Sequence, residues 1–386
     1  MADKPLHLYV HIPFCVRKCH YCDFNSHEHS DPDWQAYQDS LIAELQSWAQ
    51  SEAFSTRSIH TVFFGGGTPS LAPPSLIKAV LDTTSELFDC SADIEISLEA
   101  NPGTIDHEHF HGYRQAGINR LSIGVQSLNN QELHWLERIH DHQQAVSAFE
   151  IARKAGFDNI NLDLMYGLPD QSLDSWLNTL HQAIRLGPEH LSCYQLTVEE
   201  HTRLAKTHAQ SPYPLPDEEC ALAFLLGTRK HLLDAGYQAY EVSNFSVNGK
   251  RCRHNDAYWL YRDYIGIGAG ASGKWDTADG GIIRYSNLRT PDRYMAAASQ
   301  KGIAINSHES LNREKAGAEA AWLGLRRSAG IDRNTYRNRF GVDIWECFSK
   351  QLQPWLTSGN IEMDTKHIKI TDKGLPLTDT ISSSLL

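Results

Sequence analysis

The sequence predicts an α/β protein: an incomplete, TIM-like (β/α)6 barrel followed by a C-terminal helical, winged-helix-like unit. Three observations predict it. Short apolar, β-rich runs alternate with longer segments of helical period six times between Leu6 and about Ala235; such alternation implies a parallel sheet joined by helical crossovers. Polar or glycine-rich stretches follow five of the six runs, which suits the mouth of a (β/α) barrel better than a doubly wound sheet, where functional groups gather at one switch point. From about Asn306 the pattern becomes helices followed by a hairpin.

The first run, "LHLYVHI" (Leu6 to Ile12), reads as a strand. "PDWQAYQDSLIAELQSWAQ" (Pro32 to Gln50) reads as an amphipathic helix with Trp34, Tyr37, Leu41, Leu45 and Trp48 on one face. Then come "HTVFFGGG", a helix from about Ser75, "IEISLEANP", a short helix, "INRLSIGVQS", a helix, "NINLDLMYGLP", a helix and "HLSCYQL". Residues 1–235 are assigned to the partial barrel. Residues 236–300, from "GYQAYEVSNFS" through "YIGIGAGASG", break the alternation and are assigned to added strands and loops. Residues 301–386 form the C-terminal unit, with helices in "REKAGAEAAWLGLRRSAG" and "VDIWECFSKQLQPWLTSG" and a two-stranded hairpin in "IEMDTKHIKITDKG".

Composition excludes several classes. Of 386 residues, 41% are hydrophobic and 21% charged, an ordinary globular balance. No run approaches the roughly 18 apolar residues of a membrane span, so no integral membrane protein is expected. The N-terminus lacks a basic region followed by an apolar stretch, and a cytoplasmic location is expected. The net charge of −12 suits nucleic acid poorly, because that binding rests on Lys and Arg against phosphate. The acidity is uneven: from Lys301 onward 12 Lys and Arg face 10 Asp and Glu, leaving about −14 on the first 300 residues. "YRNRFG" offers Arg337 and Arg339 to a DNA reader, but a unit of about +2 reads better as a lid facing protein or porphyrin.

Three of the eight cysteines cluster and five are scattered. In "HIPFCVRKCHYCDFNS", Cys15, Cys19 and Cys22 have the spacing C-x3-C-x2-C. A structural zinc site takes four ligands, usually in two pairs. No second CxxC pair follows here, and His20 is adjacent to Cys19. Three thiolates suit a [4Fe–4S] cluster with one iron left for a small molecule.

This motif, directly after the first strand of a βα protein, resembles the radical SAM superfamily. There the open iron binds the amino and carboxylate groups of S-adenosylmethionine (SAM), and an electron from the cluster cleaves SAM to methionine and a deoxyadenosyl radical. "GGGTPS" after the second strand resembles the loop that meets the SAM amino group. Within the superfamily the chain is most similar to the oxygen-independent coproporphyrinogen III oxidases and their relatives, the HemW haem chaperones. The SAM contacts of that branch fall on Tyr9, Gly66, Gly67, Thr68, Glu99, Gln126, Arg138, Asp163 and Thr197. These residue types suit such contacts, since carboxylates accept from ribose or amino groups and a guanidinium clamps a carboxylate.

Two features separate the branch members. The oxidase pattern carries a further cysteine two residues after the third, where this chain has Phe24. "CRHNDAYW" (Cys252 to Trp259) resembles the HemW H-N-x-x-Y-W string, in which the histidine is implicated in haem binding. His254 is therefore the expected haem ligand, with Tyr258 and Trp259 beside the porphyrin, and Cys252 a second ligand or a bystander. Against the pattern, "GAGASG" has Ser272 where many relatives carry a histidine. The resemblance implies a haem chaperone that carries a [4Fe–4S] cluster and SAM, can cleave SAM reductively, and hands haem to acceptor haemoproteins, membrane-bound respiratory enzymes among the candidates. An electron donor would serve the cluster. The alternatives are an oxygen-independent coproporphyrinogen III oxidase, which would decarboxylate propionates by hydrogen abstraction, and a zinc-stabilised structural or DNA-binding module.

Overall fold

A computed structural model describes residues 4–277 and 280–386. Six strands, each followed by helix, build its centre: β1 (Leu6–Ile12), β2 (Ile59–Gly66), β3 (Cys90–Ala100), β4 (Arg120–Gln126), β5 (Ile160–Tyr166) and β6 (His190–Gln195). All five neighbouring pairs are parallel. β1 covers the expected segment, and the helix expected over Pro32–Gln50 runs Trp34–Ala49, capped by the Asp33 side chain.

The added segment extends this sheet on both sides. β7 (Gln238–Ala239) and β8 (Asn244–Ser246) lie antiparallel beyond β6. β9 (Asp263–Ile267) pairs parallel with β1 and is a seventh parallel strand. β10 (Ser272–Asp276) and β11 (Ile282–Asn287) continue antiparallel, and β12 (Ile305–Leu311), which lies within residues 301–386, forms the far edge. The order is β12-β11-β10-β9-β1-β2-β3-β4-β5-β6-β8-β7, so β1 and β6 do not pair and the barrel stays open.

Side chains alternate across each strand, and here the alternation separates two chemistries. One face carries Leu6, Leu8, Val10 and Ile12 on β1, Leu121, Ile123 and Val125 on β4, and Ile160, Leu162 and Leu164 on β5; these pack under the helices in one large apolar core. The other face turns mostly polar groups into the barrel: His7, Tyr9 and His11; Thr61; Glu95, Ser97 and Glu99; Arg120, Ser122 and Gln126; Asn161 and Asp163; His190, Ser192 and Tyr194, with Phe63, Gly124 and Met165 among them. They bind one another across strands, as in His7 Nδ1 to Thr61 Oγ1 (2.9 Å), Asn161 Nδ2 to Ser122 Oγ (2.7 Å) and His190 Nδ1 to Asn161 Oδ1 (2.6 Å).

A buried carboxylate ties the added segment to the barrel. Glu44, on the first helix, accepts from the Gly268 backbone N–H (3.0 Å), the Tyr294 hydroxyl (2.6 Å) and the Asn287 amide (2.7 Å).

The C-terminal part has its own apolar cluster, from Leu311 through Tyr336, Ile344 and Ile368 to Ile381 and Leu385. Helices Arg313–Gly324, Arg333–Phe340 and Ile344–Thr357 precede the hairpin Ile361–Met363 and His367–Ile370. The short strand Ile331–Asp332 pairs with the hairpin, so the wing has three strands rather than two. Arg337 is paired with Asp343 and Arg339 with Asp276, so both are engaged within the chain rather than presented as a basic face.

Candidate functional site

The cysteine loop leaves the end of β1 and is pinned at both ends. Phe14–Cys15 pairs with His27–Glu28 as a two-stranded ribbon. His11, the last inward side chain of β1, bonds Tyr9 Oη through Nδ1 and the Asn25 carbonyl through Nε2, both at 2.9 Å. Burial lowers its pKa to about 4, so it braces the loop as a neutral ring. From the far side, Leu204 N–H donates to the His20 carbonyl (2.9 Å) and the Arg203 guanidinium to the Lys18 carbonyl (2.8 Å).

The glycine loop presses against this turn. A Cβ on Gly66 would sit 2.6 Å from the His11 ring, and φ there is +120°, a conformation glycine adopts freely. A Cβ on Gly67 would meet the Phe14 carbonyl oxygen at 2.7 Å and Cys15 Sγ at 3.0 Å. Any larger residue would push the first thiol out of position.

Together these loops wall a cavity of about 370 Å³ at the barrel mouth. Cys15, Cys19 and Cys22 line it, together with eight of the nine residues matched to SAM contacts: Gly66, Gly67, Thr68, Glu99, Gln126, Arg138, Asp163 and Thr197. Tyr9 and His254 lie outside it.

Each thiol has a polar neighbour within the range usual for sulfur. Thr68 Oγ1 donates to Cys15 Sγ at 3.3 Å, Ser26 Oγ lies 4.0 Å from Cys22 Sγ, and Arg138 Nη1 lies 3.7 Å from Cys19 Sγ. Burial pushes the Cys15 and Cys22 thiols up, so a metal centre must compensate for deprotonating them. Among the described residues no three His, Cys, Asp or Glu side chains converge on a point where one metal ion would sit. Gln126 adopts φ 66° at an irregularity in the β4–β5 pairing, a strained backbone at the end of a barrel strand. Glu99 accepts from Gly66 N–H (3.1 Å), and burial, then the neighbouring Asp163 charge, raises its pKa to about 8. Burial also raises that of Asp163, against hydrogen bonds from Ser122 (2.9 Å) and Asn161 (2.8 Å).

Tyr9 and His254 meet in a smaller chamber of about 210 Å³ deeper in the barrel, lined also by Phe63, Glu99, Arg120, Asp163, Asn255 and Tyr258. His254 is 1% exposed, and both ring nitrogens are engaged: Nδ1 with Thr61 Oγ1 (2.7 Å) and Nε2 with Tyr258 Oη (3.0 Å). Its ring stacks on Phe63, and burial lowers its pKa well below the usual range. "CRHNDAYW" is not a loop but the helix Arg253–Trp259, capped by Cys252 Sγ, with Glu95 accepting from the Arg253 and His254 backbone N–H groups. A third cavity of about 440 Å³ shares Tyr9, Glu99 and Tyr258 with this chamber and Phe24, Gly66 and Glu99 with the thiol pocket; Ser272 lies in its wall.

Known proteins share this arrangement of segments. The model of the Radical SAM superfamily matches residues 9–183, and that of the HemN C-terminal domain matches residues 311–377. The chain is 44% identical over 294 residues to a protein named heme chaperone HemW from Haemophilus influenzae, covering 75% of this chain and 76% of that one. It is 33% identical to the heme chaperone HemW of Lactococcus lactis, covering 100% and 98%. The chain belongs to the HemW family of radical SAM proteins. The solved structure of coproporphyrinogen III oxidase (HemN) from Escherichia coli, described as a radical SAM enzyme, matches with TM-score 0.82 at 26% identity over 99% of this chain and 90% of that one.

A radical SAM family implies a [4Fe–4S] cluster and SAM, and the pocket suits both. It offers three thiols, a glycine cradle that a Cβ would fill, and Arg138, whose buried Nε has no partner. No helix among the described residues is long and apolar enough to cross a membrane. Three supporting residues escape a reading of the sequence: Ser122 and Asn161, which hold Asp163, and Thr61, which holds His254. The signal for all three is the two-residue alternation of polar side chains within their strands.

Proposed function

We propose that the chain is a cytoplasmic haem chaperone: it binds haem and hands it to acceptor haemoproteins, while Cys15, Cys19 and Cys22 hold a [4Fe–4S] cluster and the rest of the mouth pocket holds SAM. The cluster, when bound, supplies the electron that cleaves SAM, and an electron donor must reload it. Arg138 clamps the methionine carboxylate, Glu99 and Asp163 accept from SAM hydroxyl or amino groups, and Gly66, Gly67, Thr68, Gln126 and Thr197 shape the pocket around it. Tyr9 acts from behind, through His11 and the adjoining chamber. Residues 1–235 carry the cluster and SAM, 236–300 bring His254, and the part of 301–386 beyond β12 forms a lid.

The observation that carries the chaperone over the oxidase is Phe24. It stands where the oxidase pattern has a further cysteine, is 60% exposed, and lies on the rim shared by the thiol pocket and the 440 Å³ cavity. Such an exposed aromatic suits a flat apolar ligand. The names of the relatives at 33 to 44% identity support the same reading. His254 lines only the 210 Å³ chamber, so haem iron would reach it once Tyr258 releases Nε2 and the chamber widens to admit the macrocycle.

Haem titration of the anaerobically reconstituted protein, followed by the Soret band, tests this. Near-stoichiometric binding is expected, with loss or a spectral shift in His254→Ala. Absence of saturable binding by the wild type removes the chaperone reading. Equal binding by both proteins keeps the chaperone and dismisses His254. The full-length likeness to coproporphyrinogen III oxidase favours a second reading; decarboxylation of coproporphyrinogen III by the reconstituted protein would establish it.

A further inference from the structure

We propose that Arg120 anchors a carboxylate on an arm of the tetrapyrrole, in a subsite beneath the SAM pocket; the inference rests on the haem reading above. Arg120 is the first residue of β4 and turns into the barrel. It is 2% exposed, and its Nε is buried without a hydrogen-bond partner. The guanidinium forms no ion pair with any described carboxylate. Three acidic groups feel its charge, Glu95, Glu99 and Asp163, and each accepts from other donors, Glu99 from Gly66 N–H. Glu95 accepts from the Arg253 N–H at 2.9 and 3.1 Å and from the His254 N–H at 3.1 Å. Asp163 accepts from Ser122 and Asn161.

A buried guanidinium without a partner is costly to keep. It is worth keeping where an anion arrives to be held by its fork of donors. Arg120 faces such a space, the 210 Å³ chamber. That is below the roughly 300 Å³ at which whole-ligand pockets begin, so the chamber suits an arm rather than a ligand. Its walls are shared with both larger cavities: Tyr9, Glu99 and Tyr258 with one, and Glu99, Ser122, Asp163 and Tyr194 with the other. A ligand body in either can extend a short acidic arm toward Arg120.

Two ligands bring a carboxylate here: the methionine part of SAM and a tetrapyrrole propionate. Arg138 lies in the thiol pocket itself, beside Cys19, and is the nearer partner for SAM. That leaves Arg120 for the propionate.

The test uses the protein loaded with cluster and SAM. Haem and its dimethyl ester, in which both propionates are masked, are titrated into wild type, Arg120→Gln and Arg120→Lys. SAM affinity and thermal melting are recorded for each. Wild type is expected to prefer haem over the ester by roughly tenfold or more, as a charge-assisted bond would give. Arg120→Gln should lower haem affinity to that of the ester, leave ester affinity unchanged and melt no lower than wild type, since an unpaired buried charge has been removed. Arg120→Lys should retain part of the preference. Equal binding of haem and ester by the wild type overturns the inference while the haem reading stands. A lower melting point with equal loss of both ligands overturns it in favour of a structural charge. Loss of SAM affinity in Arg120→Gln, with the haem preference intact, assigns the carboxylate to SAM and overturns it too. If the wild type binds neither form, the haem reading fails and this inference fails with it.

Discussion

The thiol pocket and the helix that carries His254 lie in one barrel and satisfy their polar groups differently. At the mouth, the three thiols have weak polar neighbours at 3.3 to 4.0 Å, the usual range for sulfur, and Arg138 Nε has no partner. At His254 itself both ring nitrogens are bonded at 2.7 and 3.0 Å and Glu95 accepts from its helix N-terminus, while Arg120 Nε in the same chamber has no partner. Buried polar groups are normally satisfied. A set left unsatisfied around a cavity therefore marks where a ligand completes the bonding, and a satisfied set holds the fold until something displaces a partner. Glu44, with three donors, is of the second kind.

The sharpest way to break this contrast is to remove a thiol. Cys15→Ala, Cys19→Ala or Cys22→Ala should each abolish cluster retention, read as iron and acid-labile sulfide per chain. Substituting the exposed Cys90, Cys220 or Cys347 should change neither. Retention of a full cluster by any of the three loop variants would mean that another side chain serves as ligand.

A satisfied group should show the reverse behaviour, with stability rather than cofactor lost. Glu44→Ala strands three buried donors and should cost roughly 3 to 5 kcal/mol in chemical denaturation. Burial raises the Glu44 pKa to about 7. The folded state therefore favours its protonated form, and this group's contribution to stability falls as pH rises from about 4.5 through 7. Wild type should lose stability across that window, and Glu44→Gln should flatten the slope.

Glu99 stands between the two kinds, with one backbone donor and an open cavity. Its pKa of about 8 leaves it protonated at pH 6.5. Contact with cationic SAM favours the ionised form, so SAM affinity should rise roughly tenfold between about pH 6.5 and 8. Glu99→Gln should bind more weakly and without that slope. An unchanged slope in the variant would locate the titration elsewhere.

The same distinction explains what is legible in the sequence. The cysteine spacing and the six strand–helix units lie in contiguous stretches, and local pattern is enough to find them. The seventh parallel strand is not legible in this way, because Asp263–Ile267 comes long after β1 and its pairing is a tertiary fact. Tyr9 is matched by its distance from Cys15, yet β1 alternation turns it toward Phe63 and the deeper chamber. Arg120 opens a strand and resembles an exposed end residue; only tertiary packing inside the open barrel makes it buried. His254 is found by its string, but no string reveals that Tyr258, four residues on in the same helix, occupies its Nε2.

That last contact supports the finest test. If His254 is to ligate haem iron through Nε2, the bond to Tyr258 Oη must first break, at a cost of about 0.5 to 1.5 kcal/mol. Tyr258→Phe removes the cost beforehand, because the competing hydroxyl is gone while the ring that packs against Tyr264 remains. The variant should lose about 1 kcal/mol of stability and bind haem roughly two- to tenfold tighter, since a competing state no longer draws on the binding energy. Unchanged haem affinity with the same loss of stability would mean that the ring stays bonded in the haem-bound protein, and the axial ligand would have to be sought among groups the fold leaves open.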